Sequence, residues 1–386
     1  MKILVNTTGF PRFEKDTFGV FVQDYATFLA AKGFEVSVLA PHERGLPFKR
    51  IEKGVTVYRL PYFPFSSLAY GSGIPTNLKK PWCKIQLPFF VAGMSFWTGI
   101  LMLKNDILHS QWSISAYFGI LTKWFHRKPI VVSYRGSDLN SKGVLRKISD
   151  KVSHQVEANI CLSEEQSTLI PAENFDIIPN LIDNIRFSPL SFDKKLNLKE
   201  QFGLKKDSPI LLYVGYLIPL KRVDVMIKMM NLLNQKDAQL VIAGDGLLKE
   251  ELTSLAESLG LKDRVHFYGV VAYHKIHEFF QIADIHLLCS TSEGRPNVLD
   301  QAMSTGIPSI STNVGCIDEM IDNGDCGFLS EPTPEAYAEK VNYLLEKTDR
   351  LKEMGAKSLE KSKKMGVDID SVIHSHELLY KKVLSE

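Results

Sequence analysis

Short apolar runs, each able to form a buried strand, alternate with longer amphipathic or apolar stretches along most of this 386-residue chain. Residues 3–5, 36–40 and 130–133 are such runs, and residues 19–31 and 114–125 are two of the longer stretches. Strands that are apolar almost throughout are typical of parallel sheets with helices on both faces. The pattern therefore predicts an α/β fold made of doubly wound, Rossmann-like parallel sheets.

The alternation is interrupted between residues 184 and 208, where Pro189 and a charged stretch indicate a linker, and it resumes at residue 210. We therefore predict a first domain over residues 1–187, a second over 188–366 and a final helical segment over 367–386. Ligands of doubly wound domains bind at the carboxyl ends of the strands. Two consecutive domains of this kind predict a ligand-binding cleft between them.

The composition excludes several classes of protein. The five cysteines are odd in number, scattered and without Cys-x-x-Cys spacing, which argues against a disulfide framework and a structural zinc site and favours a reducing cytoplasm. Residues 1–190 carry 22 Lys and Arg against 15 Asp and Glu, a net charge of +7, whereas the whole chain carries +2. A basic first half predicts an anionic partner, either a membrane surface or a phosphorylated acceptor. No nucleic-acid-binding motif occurs, so we expect no nucleic-acid partner.

The longest apolar window covers residues 87–103 and contains Gly93, Ser95, Thr98 and Gly99. It is short for a transmembrane helix, which needs about 20 predominantly apolar residues. We therefore predict a helix in the protein core, and a helix that contacts a membrane is the alternative.

A polar segment, residues 290–301, follows the apolar run at 285–289 and combines a turn with a helix start. Pro296 suits the first position of a helix. The start of a helix offers unpaired N–H groups and a positive dipole end, which together can bind a phosphate. Glu293 and Gln301 lie on either side of this position. The segment therefore predicts a ligand with both hydroxyl and phosphate groups, such as a sugar nucleotide.

This segment resembles the Glu-x7-Glu motif of the retaining glycosyltransferases of family 4, which have the GT-B fold. The resemblance implies that Glu293 contacts the donor sugar. Gln301 stands in the place of the second Glu, which binds the ribose, and can still bond a hydroxyl without charge assistance. We assign the residues around the helix start to the same nucleotide-binding site: Gly294, Arg295, Asn297 and Val298.

Two turns in the second half match further motifs of the family. Residues 214–222 resemble a Val-Gly-Arg…Lys-Gly pattern, in which Tyr216 replaces the Arg, Lys221 matches the Lys and Arg222 replaces the Gly. The resemblance implies that Lys221 neutralises charge on the departing diphosphate, with Arg222 as a second cation. The alternative is a solvated Lys-Arg pair in the first turn of a helix. The glycines assigned to the nucleotide site are Gly215, Gly244 and Gly246.

The first half contains two such matches. Gly19 occupies a helix start at which the family brings backbone N–H groups close to the diphosphate. Residues 133–138 resemble the pattern His-Gly-Ser-Asp, with Arg135 in the place of the His. Arg can bind phosphate but cannot act as a base, so we expect an electrostatic or positioning role for Arg135. The alternative is an ion pair with Asp138.

The resemblance covers nearly the whole chain. It implies a retaining, metal-independent hexosyltransferase with a UDP- or GDP-sugar as donor and with no cofactor. The basic first half and the aromatic segment 62–65 favour a glycan or lipid-linked glycan acceptor in bacterial envelope or capsule polysaccharide biosynthesis. We expect the enzyme in the cytoplasm, and peripheral attachment to the inner face of the membrane is a further expectation.

The departures at Arg135, Tyr216 and Gln301 keep two alternatives open. One is a sugar-nucleotide-binding or scaffold protein with weak catalysis, and the other is a GT-B sugar-nucleotide epimerase.

Overall fold

The computed structural model describes residues 1–13, 16, 18–63, 68–70, 74, 77–136 and 138–385. These residues form two compact units: the first unit comprises Met1–Leu181 with Asp370–Glu386, and the second unit comprises Ile182–Ile369. Residues 64, 65 and 137, which belong to segments discussed above, lie outside the described residues. Each unit contains its own sheet, which confirms the predicted α/β class.

The first unit has an eight-stranded sheet in the order β3-β4-β2-β1-β5-β6-β7-β8. All neighbours are parallel except β3 and β4, which pair antiparallel at the edge. The central strands β1, β5 and β6 are buried almost throughout, as the apolar runs predict. The strands are β1 (Lys2–Thr7), β2 (Glu35–Pro41), β3 (Lys49–Glu52), β4 (Val55–Leu60), β5 (Ile107–Gln111), β6 (Ile130–Ser133), β7 (Ala158–Cys161) and β8 (Phe175–Ile177).

The helices that connect these strands include the long apolar one predicted as a core helix. The helices are α1 (Val20–Ala31), α2 (Pro81–Met102), α3 (Ser113–His126), α4 (Val144–Ser153) and α5 (Glu164–Thr168). The prediction for α2 is only partly right. Phe90 and Met94 are buried in the core, but Phe89 and Phe96 are more than half exposed. Composition showed that the helix is apolar but not that only one side of it is covered.

The second unit has a six-stranded sheet in the order β11-β10-β9-β12-β13-β14, with all neighbours parallel. This is the order of the dinucleotide-binding fold, and its order reverses between β9 and β12. The strands are β9 (Ile210–Val214), β10 (Gln239–Ala243), β11 (Val265–Gly269), β12 (Ile285–Leu288), β13 (Ser309–Ser311) and β14 (Gly327–Leu329). The helices are α6 (Phe192–Gln201), α7 (Val223–Met229), α8 (Lys249–Ser258), α9 (Ile276–Ile282), α10 (Asn297–Ser304), α11 (Ile317–Met320), α12 (Pro334–Glu346) and α13 (Thr348–Lys364).

The segment 184–208, which the sequence indicated as a linker, is part of the second unit. Its helix α6 is anchored by Lys195 and Lys199, whose ammonium groups lie 2.7 and 3.4 Å from the carboxylate of Asp284. Phe187 packs edge-on against Phe280. The chain therefore passes from the first unit to the second at Leu181, before the charged stretch begins.

The last helix, α14 (Ile369–Ser385), belongs to the first unit from Asp370 onwards. Asp370 forms an ion pair of 2.5 Å with Lys32, at the end of α1. Deeper in the unit, the hydroxyl of Tyr380 contacts both Tyr25 of α1 and His109 of β5. This helix is thus joined to the first unit at its surface and in its interior.

Candidate active site

Glu293 and Lys221 lie in turns that follow the two strands at the reversal of strand order in the second unit. Lys221 ends a 3₁₀ turn, Pro219–Lys221, after β9, and Glu293 lies between β12 and α10. The Lys221 ammonium donates to Oε1 of Glu293, and Ser290 Oγ donates to the same oxygen at 2.5 Å. Within the described residues, the other carboxylate oxygen, Oε2, accepts no hydrogen bond. Glu293 is therefore held at one oxygen and can accept a ligand hydroxyl at the other.

The two turns are fixed to each other and to the sheet by backbone bonds. The N–H of Thr291 donates to the carbonyl of Leu220 at 2.9 Å. The hydroxyl of Thr312, just after β13, donates to the carbonyl of Ser290 at 2.6 Å. Such contacts hold Ser290, and with it Glu293, before any ligand arrives. Preorganised charged groups of this kind are the main means by which enzymes stabilise charge in a transition state.

The turns after β9 and β10 lie backbone against backbone, which accounts for their glycines. A Cβ on Gly244 would overlap the carbonyl oxygen of Gly215, and a Cβ on Gly246 would overlap that of Leu217. The N–H of Leu217 in turn donates to the carbonyl of Asp245 at 2.9 Å. The glycines therefore bring the two turns together, and their contact with a nucleotide remains a prediction.

Arg222 adopts a left-handed conformation, with φ of 47°, between the 3₁₀ turn and α7. The position favours glycine, which is the residue that family 4 usually has there. The sequence placed Lys221 and Arg222 in the first turn of a helix, but α7 begins only at Val223. Arg222 forms an ion pair of 3.2 Å with Asp224. Tyr216, which replaces the Arg of the family pattern, is 61% exposed.

Arg295 is buried in an ion pair that the sequence did not reveal. Its Nε and Nη2 atoms lie 3.0 and 2.8 Å from the two carboxylate oxygens of Asp300, and both side chains are almost fully buried. Burial raises the pKa of the Asp300 carboxyl, and the charge of Arg295 opposes part of that rise. Arg295 therefore has a structural role in joining the turn to α10, and its contact with a nucleotide remains a prediction.

The other residues assigned to the helix start lie on or beside α10. Pro296 immediately precedes the helix, so the predicted start is correct to one residue. Asn297 and Gln301 are four residues apart, which places them on the same face of the helix, and Gln301 is buried. Val298 packs against the core. The backbone carbonyl of Gly294 accepts a bond from the thiol of Cys316 at 3.3 Å.

Gly19 precedes α1 in the first unit and has φ of 75°, a conformation that favours glycine. A Cβ on Gly19 would overlap the carbonyl of Gly9, in the turn after β1. The chain therefore passes close to itself where β1 leads into α1, and only glycine fits.

Arg135 follows β6 and does not form the ion pair with Asp138 that was the alternative reading. Its guanidinium lies 5.0 Å from the centre of the Phe21 ring and donates to two amide oxygens, those of Gln111 and Asn180. The carboxylate of Asp138 instead accepts the backbone N–H of Arg135 at 3.1 Å. Burial lowers the pKa of Arg135 to about 10. A partly buried guanidinium held by neutral amides keeps its charge and can attract an anionic ligand.

A buried polar network beside Arg135 was missed by the sequence. His109 Nδ1 lies 2.8 Å from the hydroxyl of Tyr25, and His109 Nε2 lies 2.7 Å from that of Ser133. Burial lowers the pKa of His109 well below its ordinary value and that of His376 to about 4, so both rings are neutral at pH 7. With Arg135, the side chains of Tyr25, Ser133 and His376 line a small pocket. Polar residues inside the apolar strand β5 are the one sequence signal that pointed there.

Two family models match the chain. The model described as "Glycosyltransferase Family 4" matches residues 18–185, and the model described as "Glycosyl transferases group 1" matches residues 194–361. The chain belongs to glycosyltransferase family 4. It is therefore a glycosyltransferase that takes its sugar from a sugar nucleotide.

This family 4 glycosyltransferase is 24% identical to the N-acetyl-alpha-D-glucosaminyl L-malate synthase of Bacillus anthracis, over 100% of the chain and 98% of the relative. Among solved structures, the sucrose-phosphate synthase of Thermosynechococcus elongatus matches with a TM-score of 0.84 and 17% identity over 100% of both chains. Anabaena HepE in complex with UDP matches with a TM-score of 0.78 and 18% identity, over 99% of this chain and 100% of HepE. These similarities confirm the GT-B fold class.

Proposed function

We propose that the protein is a retaining, metal-independent hexosyltransferase that transfers a sugar from a UDP-sugar to a glycan or lipid-linked glycan acceptor in polysaccharide biosynthesis. The observation that carries the proposal is the Glu293 carboxylate, which Lys221 and Ser290 hold at one oxygen while the other stays available. This pair lies at the reversal of strand order, where sheets of this type bind nucleotides. UDP is favoured over GDP because HepE has been solved with UDP and with UDP-glucose.

In the proposed reaction, the bond between the anomeric carbon and the diphosphate breaks, and the acceptor hydroxyl attacks the same face of the sugar and passes its proton to the departing diphosphate. The Lys221 ammonium stabilises the charge that develops on the leaving diphosphate. Glu293 accepts a hydroxyl of the donor sugar through Oε2 and fixes its orientation. Catalysis then consists of positioning and charge stabilisation by groups already in place.

The acceptor part of the proposal rests on Arg135. Its guanidinium is held by the amide oxygens of Gln111 and Asn180 and borders a small pocket of the first unit. Guanidinium groups bind phosphate and carboxylate in a two-pronged geometry. The product in the name of the B. anthracis relative, a glucosaminyl L-malate, carries carboxylates. The positive charge of Arg135 complements an acceptor with an anionic group, such as the phosphate of a lipid-linked glycan.

A panel of UDP-, GDP- and ADP-sugars tests the proposal. We expect one UDP-sugar to raise the melting temperature of the protein. With that donor, we expect the enzyme to release UDP faster when an acceptor is added. Thermal stabilisation without UDP release or transfer would favour the sugar-nucleotide-binding alternative. Conversion of the sugar without transfer would favour the epimerase.

We expect Gln301→Glu to tighten UDP binding by about 1 kcal/mol, because a hydrogen bond to a charged group is stronger than a neutral one by about that amount. Gln301 is buried on the face of α10 that also carries Asn297. Calorimetric titration with UDP measures the change, and Gln201→Glu at an exposed position of α6 is the matched control. Unchanged affinity in both Gln301→Glu and Gln301→Ala would remove Gln301 from the ribose site.

A further inference from the structure

The side of α2 that faces away from the core carries a continuous apolar stripe. Its residues recur at intervals of three and four, so they share one face of the helix. All of them are exposed, and none is polar. Three of the five are aromatic, and more than 45% of the surface of each aromatic side chain is accessible. The stripe consists of Trp82, Ile85, Phe89, Ala92 and Phe96.

The neighbouring helix α3 adds further exposed aromatic side chains. Gly99 of α2 faces Thr122 of α3 so closely that a Cβ on Gly99 would lie 3.1 Å from that side chain. Near the end of α3, Trp124 is 77% exposed and Phe125 is 44% exposed. We call the stripe on α2 the aromatic face, and Trp124 and Phe125 are exposed on the helix that packs beside it. An exposed apolar surface of this kind marks an interaction site.

Lysines flank the stripe at both ends of α2. Lys79, Lys80 and Lys84 are exposed at its start, and Lys104 is exposed just beyond its end. Across the described part of the chain, none of the four forms an ion pair. The helix contains no Asp or Glu. The four charges that flank the stripe on α2 are thus positive and unpaired within the described residues, and they complement an anionic surface.

We propose that α2 lies in the plane of an anionic membrane surface, with the aromatic face inserted among the lipid headgroups and the flanking lysines against lipid phosphates. An apolar stripe with Trp and Phe, bordered by Lys, is the pattern of a helix that lies in the membrane interface. This deepens the lipid-linked acceptor part of the proposed function by assigning the surface that reaches the lipid, and it does not depend on the transfer chemistry.

Two other arrangements fit the structure less well. The helix is long and apolar enough to cross a membrane, with a mean hydropathy of 1.5 over its most apolar window. However, Gln86 and Thr98 are fully buried within the first unit, and 39% of that window is covered by protein. A spanning helix would have to leave this core. A second copy of the chain would bring two sets of like-charged lysines together, which is unfavourable.

Sedimentation of the full chain with vesicles tests the proposal. We expect binding to vesicles that contain phosphatidylglycerol, little binding to phosphatidylcholine alone, and release as salt rises, because exposed charges are screened. Phe89→Asp should weaken binding by about 10-fold or more, because it removes a ring that inserts among the lipids and adds a charge that anionic headgroups repel. The matched control is Leu378→Asp on α14, since Leu378 is 54% exposed and Phe89 is 52% exposed; it should bind like the wild type.

Charge reversal gives a second comparison. The triple substitution Lys79→Glu, Lys80→Glu and Lys84→Glu should abolish vesicle binding, whereas the same change in net charge at Lys352, Lys363 and Lys382, all exposed, should not.

Equal binding to neutral vesicles, binding that survives Phe89→Asp, or a dimer that Phe89→Asp dissociates would overturn the proposal. Each variant should keep its thermal shift with the UDP-sugar. If the wild type shows no such shift but still binds vesicles, the proposed function fails and the membrane surface stands.

Discussion

Glu293→Gln should lower the turnover of sugar transfer by about 10²-fold or more while leaving the affinity for UDP nearly unchanged. The substitution preserves shape but removes the charge that the Lys221 ammonium and the Ser290 hydroxyl hold in place. Loss of one preorganised electrostatic group typically costs about 10²–10³ in turnover. UDP affinity should survive because Glu293 is assigned to the sugar and not to the nucleotide. Turnover is measured as UDP release with acceptor present, and affinity by calorimetry.

Glu251→Gln is the matched control, since Glu251 is an exposed carboxylate on α8 of the same unit. It should leave both quantities unchanged. Turnover of Glu293→Gln near that of the wild type would show that Glu293 is not a catalytic residue. A large loss of UDP affinity would instead mean that the carboxylate contacts the nucleotide.

Asp300→Ala should destabilise the second unit by about 3–5 kcal/mol, the usual cost of leaving one partner of a buried ion pair without its counter-charge. The guanidinium of Arg295 would remain in a site where its side chain is only 3% exposed. Chemical denaturation, monitored by fluorescence, gives the change in the free energy of unfolding.

The control for this prediction is Asp224→Ala, which removes two ion pairs, with Arg222 and Lys228, at a carboxylate that is about one third exposed. Exposed pairs contribute less than about 1 kcal/mol, so its effect should be small. The double substitution Arg295→Met with Asp300→Leu should recover much of the loss, because it removes both charges. If Asp300→Ala is as mild as Asp224→Ala, the buried pair does not stabilise α10.

The sequence predicted the parallel strands well because they are buried on both faces, which makes β9 and residues 240–243 of β10 apolar. It missed β3, since Lys49–Glu52 is an exposed and largely charged edge strand that carries no apolar pattern. It also missed β14, which has three residues and is too short to show a period. Local pattern therefore identified most strands of both sheets and missed one edge strand in each, β3 and β14.

Motif order indicated Glu293 and Lys221 as site residues, but their contact spans 72 positions and had no sequence signal of its own. Arg295 shows the opposite difficulty. It stands in a motif that suggests ligand binding, whereas its partner Asp300 becomes apparent only when the turn and the first part of α10 are folded. Whether a charged side chain pairs within the protein depends on which residues lie close together in the fold, and residue spacing did not predict the pair of Arg295 with Asp300.

The contact of Tyr380 with Tyr25 and His109 has a consequence for how this chain is made. Tyr25 lies 355 positions before Tyr380 in the chain, and His109 lies 271 positions before it. A ribosome delivers α1 and β5 early and α14 only after the whole second unit has emerged. Until then the hydroxyl of Tyr25 and the imidazole of His109 lack their contact with the hydroxyl of Tyr380. During synthesis, the first unit therefore cannot complete its core until the last helix has been made, although its sheet is synthesised first.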